Sequence, residues 1–300
     1  MSTELMNQMF VLFGLIMIGY VSNKTGILDE TANTKLSGFL IKVPLAATVL
    51  HSALIQEPME YSVIWYGAAI AAAVFAALPF MSMLVTRIFR LDKTYQLMLN
   101  YSNLGFMGLP IISSVYGPES IFYVVMFMMI FNVHLFTVGI VILQGKVESP
   151  RVLLKKLCTP GIIASVTAFV IVLWRIKAPA PVVDLLSSVG SVTTPLAMIV
   201  IGSQLGMVNL VEVLKKRSLY VMTFFKLAVY PAVICVVLRL LLGESMVTNI
   251  AAILMGLPVA GNVTMLCSTY GGDTSLAAQG TCISTFLSLL TVPVMLTLIG

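Results

Sequence analysis

The tetrapeptide Met-Gly-Leu-Pro occurs twice, at residues 107–110 and 255–258, each time inside a long apolar stretch with glycine and asparagine close by. The first copy reads Asn103-Leu104-Gly105-Phe106-Met107-Gly108-Leu109-Pro110, the second Met255-Gly256-Leu257-Pro258-Val259-Ala260-Gly261-Asn262. Proline removes a backbone donor and collides with the preceding turn, and glycine tolerates the unwound geometry that results. Two apolar helices interrupted near their middles are therefore expected. This restricts the fold severely, because irregular backbone at bilayer depth survives only where protein or a water-filled cavity surrounds it. Paired interruptions in corresponding places of two halves are also the best pointer in a sequence to a membrane carrier's binding site.

Composition sets the chain in a bilayer. Of its 300 residues 59% are hydrophobic and only 10% are charged, with a mean hydropathy of +1.03, whereas soluble domains carry about 25% charged residues. A bilayer core requires roughly 20 apolar residues per helix. Ten stretches meet that requirement, near 5–22, 31–54, 62–86, 94–116, 119–143, 158–176, 181–206, 217–241, 247–270 and 274–298. The start Met1-Ser2-Thr3-Glu4 lacks a basic n-region, so no cleavable signal is expected. Connections after odd-numbered stretches hold Lys24, Lys35, Arg87, Arg90, Lys93, Lys146, Arg151, Lys155, Lys156, Lys215, Lys216 and Arg217, against Arg175, Lys177 and Arg239 on the other side. That asymmetry places both termini outside the cytoplasm of a multi-pass protein in the cytoplasmic membrane. It also accounts for the net charge of +5 without a nucleic-acid partner. The four cysteines include no Cys-x-x-Cys and read as small buried residues, with no disulfide framework or metal site.

The two halves repeat. Pro44-Leu45-Ala46 in the second stretch answers Pro195-Leu196-Ala197 in the seventh, and Tyr116-Gly117-Pro118-Glu119 after the fourth answers Tyr270-Gly271-Gly272-Asp273 after the ninth. Five crossings per copy is an odd number, so the second copy enters the membrane with opposite polarity. The expected organisation is an all-α polytopic protein of two inverted five-helix repeats, residues 1–145 and 158–300, joined by a cytoplasmic loop at 146–157.

Several fragments in order carry a family resemblance over almost the whole chain. They are Gly14-Leu15-Ile16-Met17-Ile18-Gly19-Tyr20, Lys24-Thr25-Gly26-Ile27-Leu28-Asp29, Val43-Pro44, the 103–110 interruption, Tyr270-Gly271-Gly272-Asp273, Ser284-Thr285 and Thr291-Val292-Pro293. Together they resemble the auxin efflux carrier family, whose bacterial members are described as permeases of malonate, malate and similar anions. The resemblance implies a ten-helix carrier of the bile-acid-symporter and sodium/proton-antiporter fold type. It further implies crossed broken helices and elevator-like alternating access. Plant members insert a long cytoplasmic segment after the fifth helix. Only residues 144–157 lie there in this chain, so regulation through that loop is not expected.

The chemistry of the interruptions follows without the family. Where a half-helix restarts, its first N–H groups lack intrahelical acceptors and its dipole places about half a positive charge there. Such an end favours a carboxylate, which accepts several backbone donors at once. Gly105, Gly108, Pro110, Gly256 and Pro258 shape this backbone. Asn103 and Asn262, with Asn100 one turn earlier, either contact the ligand or repair the broken ladder.

Ionisable and polar residues at depth extend the candidate list. Lys42 lies beside Val43-Pro44 and either holds the anion or snorkels to the interface. Lys226, nine residues past Arg217, is expected to snorkel. Asn132 and His134 lie at mid-depth on different sides of one helix. Ser284 shares a face with Ser288 and either meets the substrate or joins helices. No Asp or Glu falls at mid-membrane, which counts against a sodium/proton antiporter, and Asp273 reads as a helix N-cap.

There is no nucleophile elbow, zinc-ligand spacing, phosphate loop or carboxylate pair, so neither an enzyme nor a cofactor is expected. The function indicated is a secondary transporter of small organic anions, mono- or dicarboxylates. Two alternatives stand beside it: a cation-coupled carrier of the same fold, and a membrane-embedded anion sensor. The partners indicated are the anion and the lipid bilayer. Oligomeric state is left open, a homodimer included.

Overall fold

The computed structural model describes residues 3–57, 60–146, 158–208, 213 and 215–299. The cytoplasmic loop expected at 146–157 therefore lies, from 147 on, outside the described residues. Among those residues the chain is helical apart from turns and one isolated antiparallel bridge, Ser102 to Val259. Among the described residues six helices are long and apolar enough to cross a membrane: Glu30–Ile55, Tyr61–Ile88, Pro118–Gln144, Ala180–Met207, Arg217–Leu242 and Thr274–Ile299. Shorter apolar helices, Leu104–Tyr116, Pro160–Trp174 and Met246–Met255, fall in the fourth, sixth and ninth apolar stretches, and the helix Thr3–Lys24 occupies the first. The fourth and ninth stretches are short because each is divided, into Lys93–Asn100 with Leu109–Tyr116 and into Met246–Met255 with Gly261–Tyr270.

Local chemistry explains where helices begin and end. Asp29 accepts from Ala32 N–H at 2.6 Å, Asp92 from Thr94 N–H at 2.6 Å and Asp273 from Leu276 N–H at 2.8 Å. Each carboxylate satisfies a first-turn donor, so these acidic residues are caps rather than buried charges. Ser245 and Thr248 form a reciprocal capping box. Gly145 and Gly271 take the left-handed conformation that closes the helices before them.

The chain forms two compact units, each drawing on both sequence halves. One comprises the described residues of Met1–Gly67, Gly105–Met129 and Cys158–Met207, the other those of Ala68–Leu104, Ile130–Leu157 and Val208–Gly300.

The first unit is built on close helix approach. A Cβ on Gly202 would run into the Ile16 carbonyl, and one on Gly19 into the Ile199 carbonyl, so Thr3–Lys24 and Thr193–Met207 meet backbone to backbone. Both proline-bearing stretches are interrupted just before their prolines, at Val43 and at Val192. Thr48 Oγ1 lies 2.7 Å from Thr193 Oγ1 and donates to the Gly190 carbonyl at 3.0 Å, which joins the two bends. Trp65 meets Phe169 edge to face, and Phe169 stacks on Phe122.

The second unit holds both interruptions. Its aromatic core includes Phe75, Phe131 and Tyr101, with Phe131 edge to face against each of the other two. Single π-helical turns, Leu135–Gly139 and Phe225–Val229, widen two of its long helices. Such turns are commonly found at functional sites.

Of the four cysteines, all free, Cys235, Cys267 and Cys282 are buried, but Cys158 is exposed, against the expectation that all four would be core residues.

Candidate functional site

The interruptions meet in the second unit. The helix Lys93–Asn100 stops, residues 101–103 run extended, and Met246–Met255 gives way to an irregular stretch before Gly261. These two pieces of extended backbone pair with one another. Asn103 N–H donates to the Pro258 carbonyl at 2.8 Å and Ala260 N–H donates to the Tyr101 carbonyl at 3.0 Å. Ser102 Oγ donates to the Met255 carbonyl at 3.3 Å, and Val259 N–H donates to Ser284 Oγ at 3.0 Å. Every residue of 255–260 is buried, as are Tyr101 and Ser102. Unpaired backbone there would be costly, and each strand supplies what the other has lost.

The first interruption lies upstream of the expected place. Proline and glycine predict a break within 103–110, whereas the helix stops at Asn100 and restarts at Leu104 as a π-helical turn that runs on into Leu109–Tyr116. Pro110 directly follows that π-helical turn inside a helical run that began at Leu104, so its missing N–H falls in the helix interior and not at the start. The second interruption falls where glycine and proline place it, at Gly256-Leu257-Pro258.

The predicted site residues divide between the units. Asn100, Asn103, Asn132, Gly256, Pro258, Asn262 and Ser284 belong to the second, while Lys42, Gly105, Gly108 and Pro110 belong to the first. Asn103 contributes backbone to the pairing, and Asn262 sits half-buried in the first turn of Gly261–Tyr270. That helix has no side-chain cap at its start, and in its first turn Val263 N–H donates to the Ala260 carbonyl at 3.0 Å. Ser284 is fully buried and holds Val259. Gly256 is required by packing: a Cβ there would strike the Met295 sulfur and come within 3.0 Å of the Pro231 ring. Gly105 has ordinary room, its nearest neighbours being Leu45 Cδ1 at 3.4 Å and Met128 Cε at 3.7 Å. Lys42 ends Glu30–Lys42 at the Val43 interruption with an exposed side chain. Asn132 is half-buried, two residues before His134.

Two features of this region escape a reading of the residues alone. Lys226, expected to snorkel, is wholly buried in the π-helical turn Phe225–Val229, and its Nζ donates to the Leu99 carbonyl at 2.9 Å. Leu99 is in the last turn of Lys93–Asn100, where carbonyls lack partners and the dipole favours a cation. The adjacent Asn100 is equally buried, and neither polar atom of its side chain has a hydrogen-bond partner. The second feature is the Tyr101 hydroxyl, 2.9 Å from His134 Nδ1 and 3.1 Å from the His134 carbonyl. It pins the first interruption to the π-helical turn that begins at Leu135. No group of His, Cys, Asp or Glu among the described residues could hold a metal ion.

Membrane-length helices and two apolar segments interrupted inside the core, with their broken backbones paired, define a polytopic membrane protein. The comparison with known families gives the particular kind. Residues 4–296 match the family described as membrane transport protein, and the chain belongs to that family, the auxin efflux carriers. No curated protein matches it.

Proposed function

We propose that this transporter moves small organic anions, mono- or dicarboxylates, across the cytoplasmic membrane. The observation that carries the reading is the pairing of residues 101–103 with 258–260, which holds the uncapped start of Gly261–Tyr270 beside the restart at Leu104. Half-helix N-termini attract carboxylates through oriented N–H groups and the helix dipole. Asn103 and Asn262 stand at those two starts and add amide donors.

The arrangement we infer is ten membrane crossings in two inverted repeats, residues 1–145 and 158–300, with both termini outside the cytoplasm. Alternating access is of the elevator type, the second unit carrying the anion and the first staying anchored. The division into two compact units, with both interruptions in one of them, supports this reading.

The test is affinity for a carboxylate, measured by isothermal titration on the purified protein, together with flux into proteoliposomes. Asn103→Ala and Asn262→Ala are each expected to weaken the same ligand by about 1–3 kcal/mol, the range for truncating a bond to a charged group. Their effects should not add, because one ligand is shared. Loss of binding through one asparagine with no effect of the other would assign the site to one interruption alone. Binding without flux would make the protein a sensor.

A further inference from the structure

The stop at Asn100 takes from one backbone acceptor its natural donor. In a continued helix the Leu99 carbonyl would accept from the Asn103 N–H, one helical turn further on. Here that N–H donates to the Pro258 carbonyl instead, at 2.8 Å. Lys226 Nζ takes its place at the Leu99 carbonyl, at 2.9 Å, and neither residue has any exposure to solvent. A primary amine carries N–H donors with or without its extra proton, so this replacement does not depend on the charge of the lysine. The residue on the other side of Asn100 is held as well. Tyr101 is extended, at φ −116° and ψ 107°, and its carbonyl accepts from Ala260 N–H at 3.0 Å. Its hydroxyl lies 2.9 Å from His134 Nδ1 and 3.1 Å from the His134 carbonyl. Both anchors sit where a long helix departs from α geometry: Lys226 lies inside the π-helical turn Phe225–Val229, and His134 directly precedes Leu135–Gly139. Two different helices thus grip the backbone on either side of Asn100.

We propose that Lys226 and Tyr101 are the positioning residues of the carrier's site. Lys226 occupies the carbonyl to which the Asn103 N–H would otherwise return, and Tyr101 keeps the first residue of the interruption extended. Together they fix Asn103 and Ala260 in the pairing that sets the restart at Leu104 beside the start of Gly261–Tyr270. Without the amine, the helical bond from Asn103 to Leu99 competes with the bond from Asn103 to Pro258, because a buried carbonyl left without a donor is costly. Without the hydroxyl, nothing ties the Tyr101 ring to the neighbouring helix by a hydrogen bond. The proposal rests on the anion reading above for the purpose of the site, but not for the grip itself.

The test pairs two deletions that change side-chain size little, Lys226→Met and Tyr101→Phe, with a control, Thr223→Val. Thr223 is buried one turn before Lys226 and its hydroxyl has no partner, so its loss removes no bond of the interruption. Residue-resolved hydrogen exchange compares the Ala260 amide, which donates to Tyr101, with the Val259 amide, which Ser284 holds independently of the first interruption. In both deletion variants Ala260 should exchange roughly 5–30-fold faster while Val259 keeps its rate. Titrated phenylacetate and malonate should bind both variants more weakly, and Thr223→Val should match the wild-type protein in every readout. Unchanged Ala260 exchange in either variant overturns the proposal, and so does equal acceleration at Ala260 and Val259, the sign of general loosening. Faster Ala260 exchange with wild-type affinity for both probes also overturns it, since the anchors would then be structural only. If neither probe binds the wild-type protein, the anion reading fails and the exchange rates alone decide whether the grip exists. Should Lys226→Met fail to fold, Tyr101→Phe carries the same test, because both anchors serve one pairing.

Discussion

Ser284→Ala isolates the energy that holds the second interruption open. In the wild-type protein the Ser284 hydroxyl accepts the Val259 N–H at 3.0 Å and donates to the Thr281 carbonyl of its own helix at 3.1 Å, with no exposure to solvent. Alanine removes the acceptor and leaves a buried backbone donor unsatisfied, which costs about 1–3 kcal/mol. Ser288 provides the control. It is equally buried on the same helix, but its hydroxyl bonds only to the Thr285 carbonyl at 2.7 Å. Ser288→Ala orphans no donor, and its effect should lie at the low end of what a neutral hydrogen bond contributes, about 0.5 kcal/mol. The difference between the variants is therefore expected at about 1–2 kcal/mol in a denaturing-detergent titration. Hydrogen exchange supplies the local readout, since a loss of that size speeds opening at the Val259 amide by roughly 5–30-fold. The same peptide should exchange normally in Ser288→Ala. Equal stability losses in the two variants, with Val259 exchange unchanged, would show that the Ser284 hydroxyl does not hold the interruption.

Other expectations follow from particular contacts. Gly202→Ala should abolish folding or lower thermal stability sharply, because its Cβ would occupy the Ile16 carbonyl. Gly14→Ala, with open space around the added carbon, should be nearly neutral in the same melts. Arg239 donates to Glu244 at 2.8 Å, Asn249 at 3.1 Å and the Ile299 carbonyl at 2.8 Å. It is partly exposed, so Arg239→Gln should cost no more than about 1 kcal/mol, yet it should accelerate proteolysis at the end of Thr274–Ile299. Cysteines placed at Ser2 and Leu298 should react with an impermeant reagent in intact cells, and reaction only after permeabilisation would reverse the proposed orientation.

Local sequence chemistry determined a good part of this protein. Ten apolar stretches and the capping role of Asp273 are short-range properties, readable because the residues that cause them are neighbours in the chain. The second interruption was legible for the same reason, since Gly256 and Pro258 act on their own backbone. Tertiary structure decided the rest. The first helix stops at Asn100, well before Pro110, because the donors and acceptors of 101–103 are satisfied by residues more than 150 positions away. Nothing in the composition of Tyr101-Ser102-Asn103 announces that partner. The depth of Lys226 was hidden likewise. Its place in the chain fixes a distance from the helix end but not the direction of the side chain. A lysine that could snorkel instead turns inward, to a carbonyl exposed only because another helix is broken.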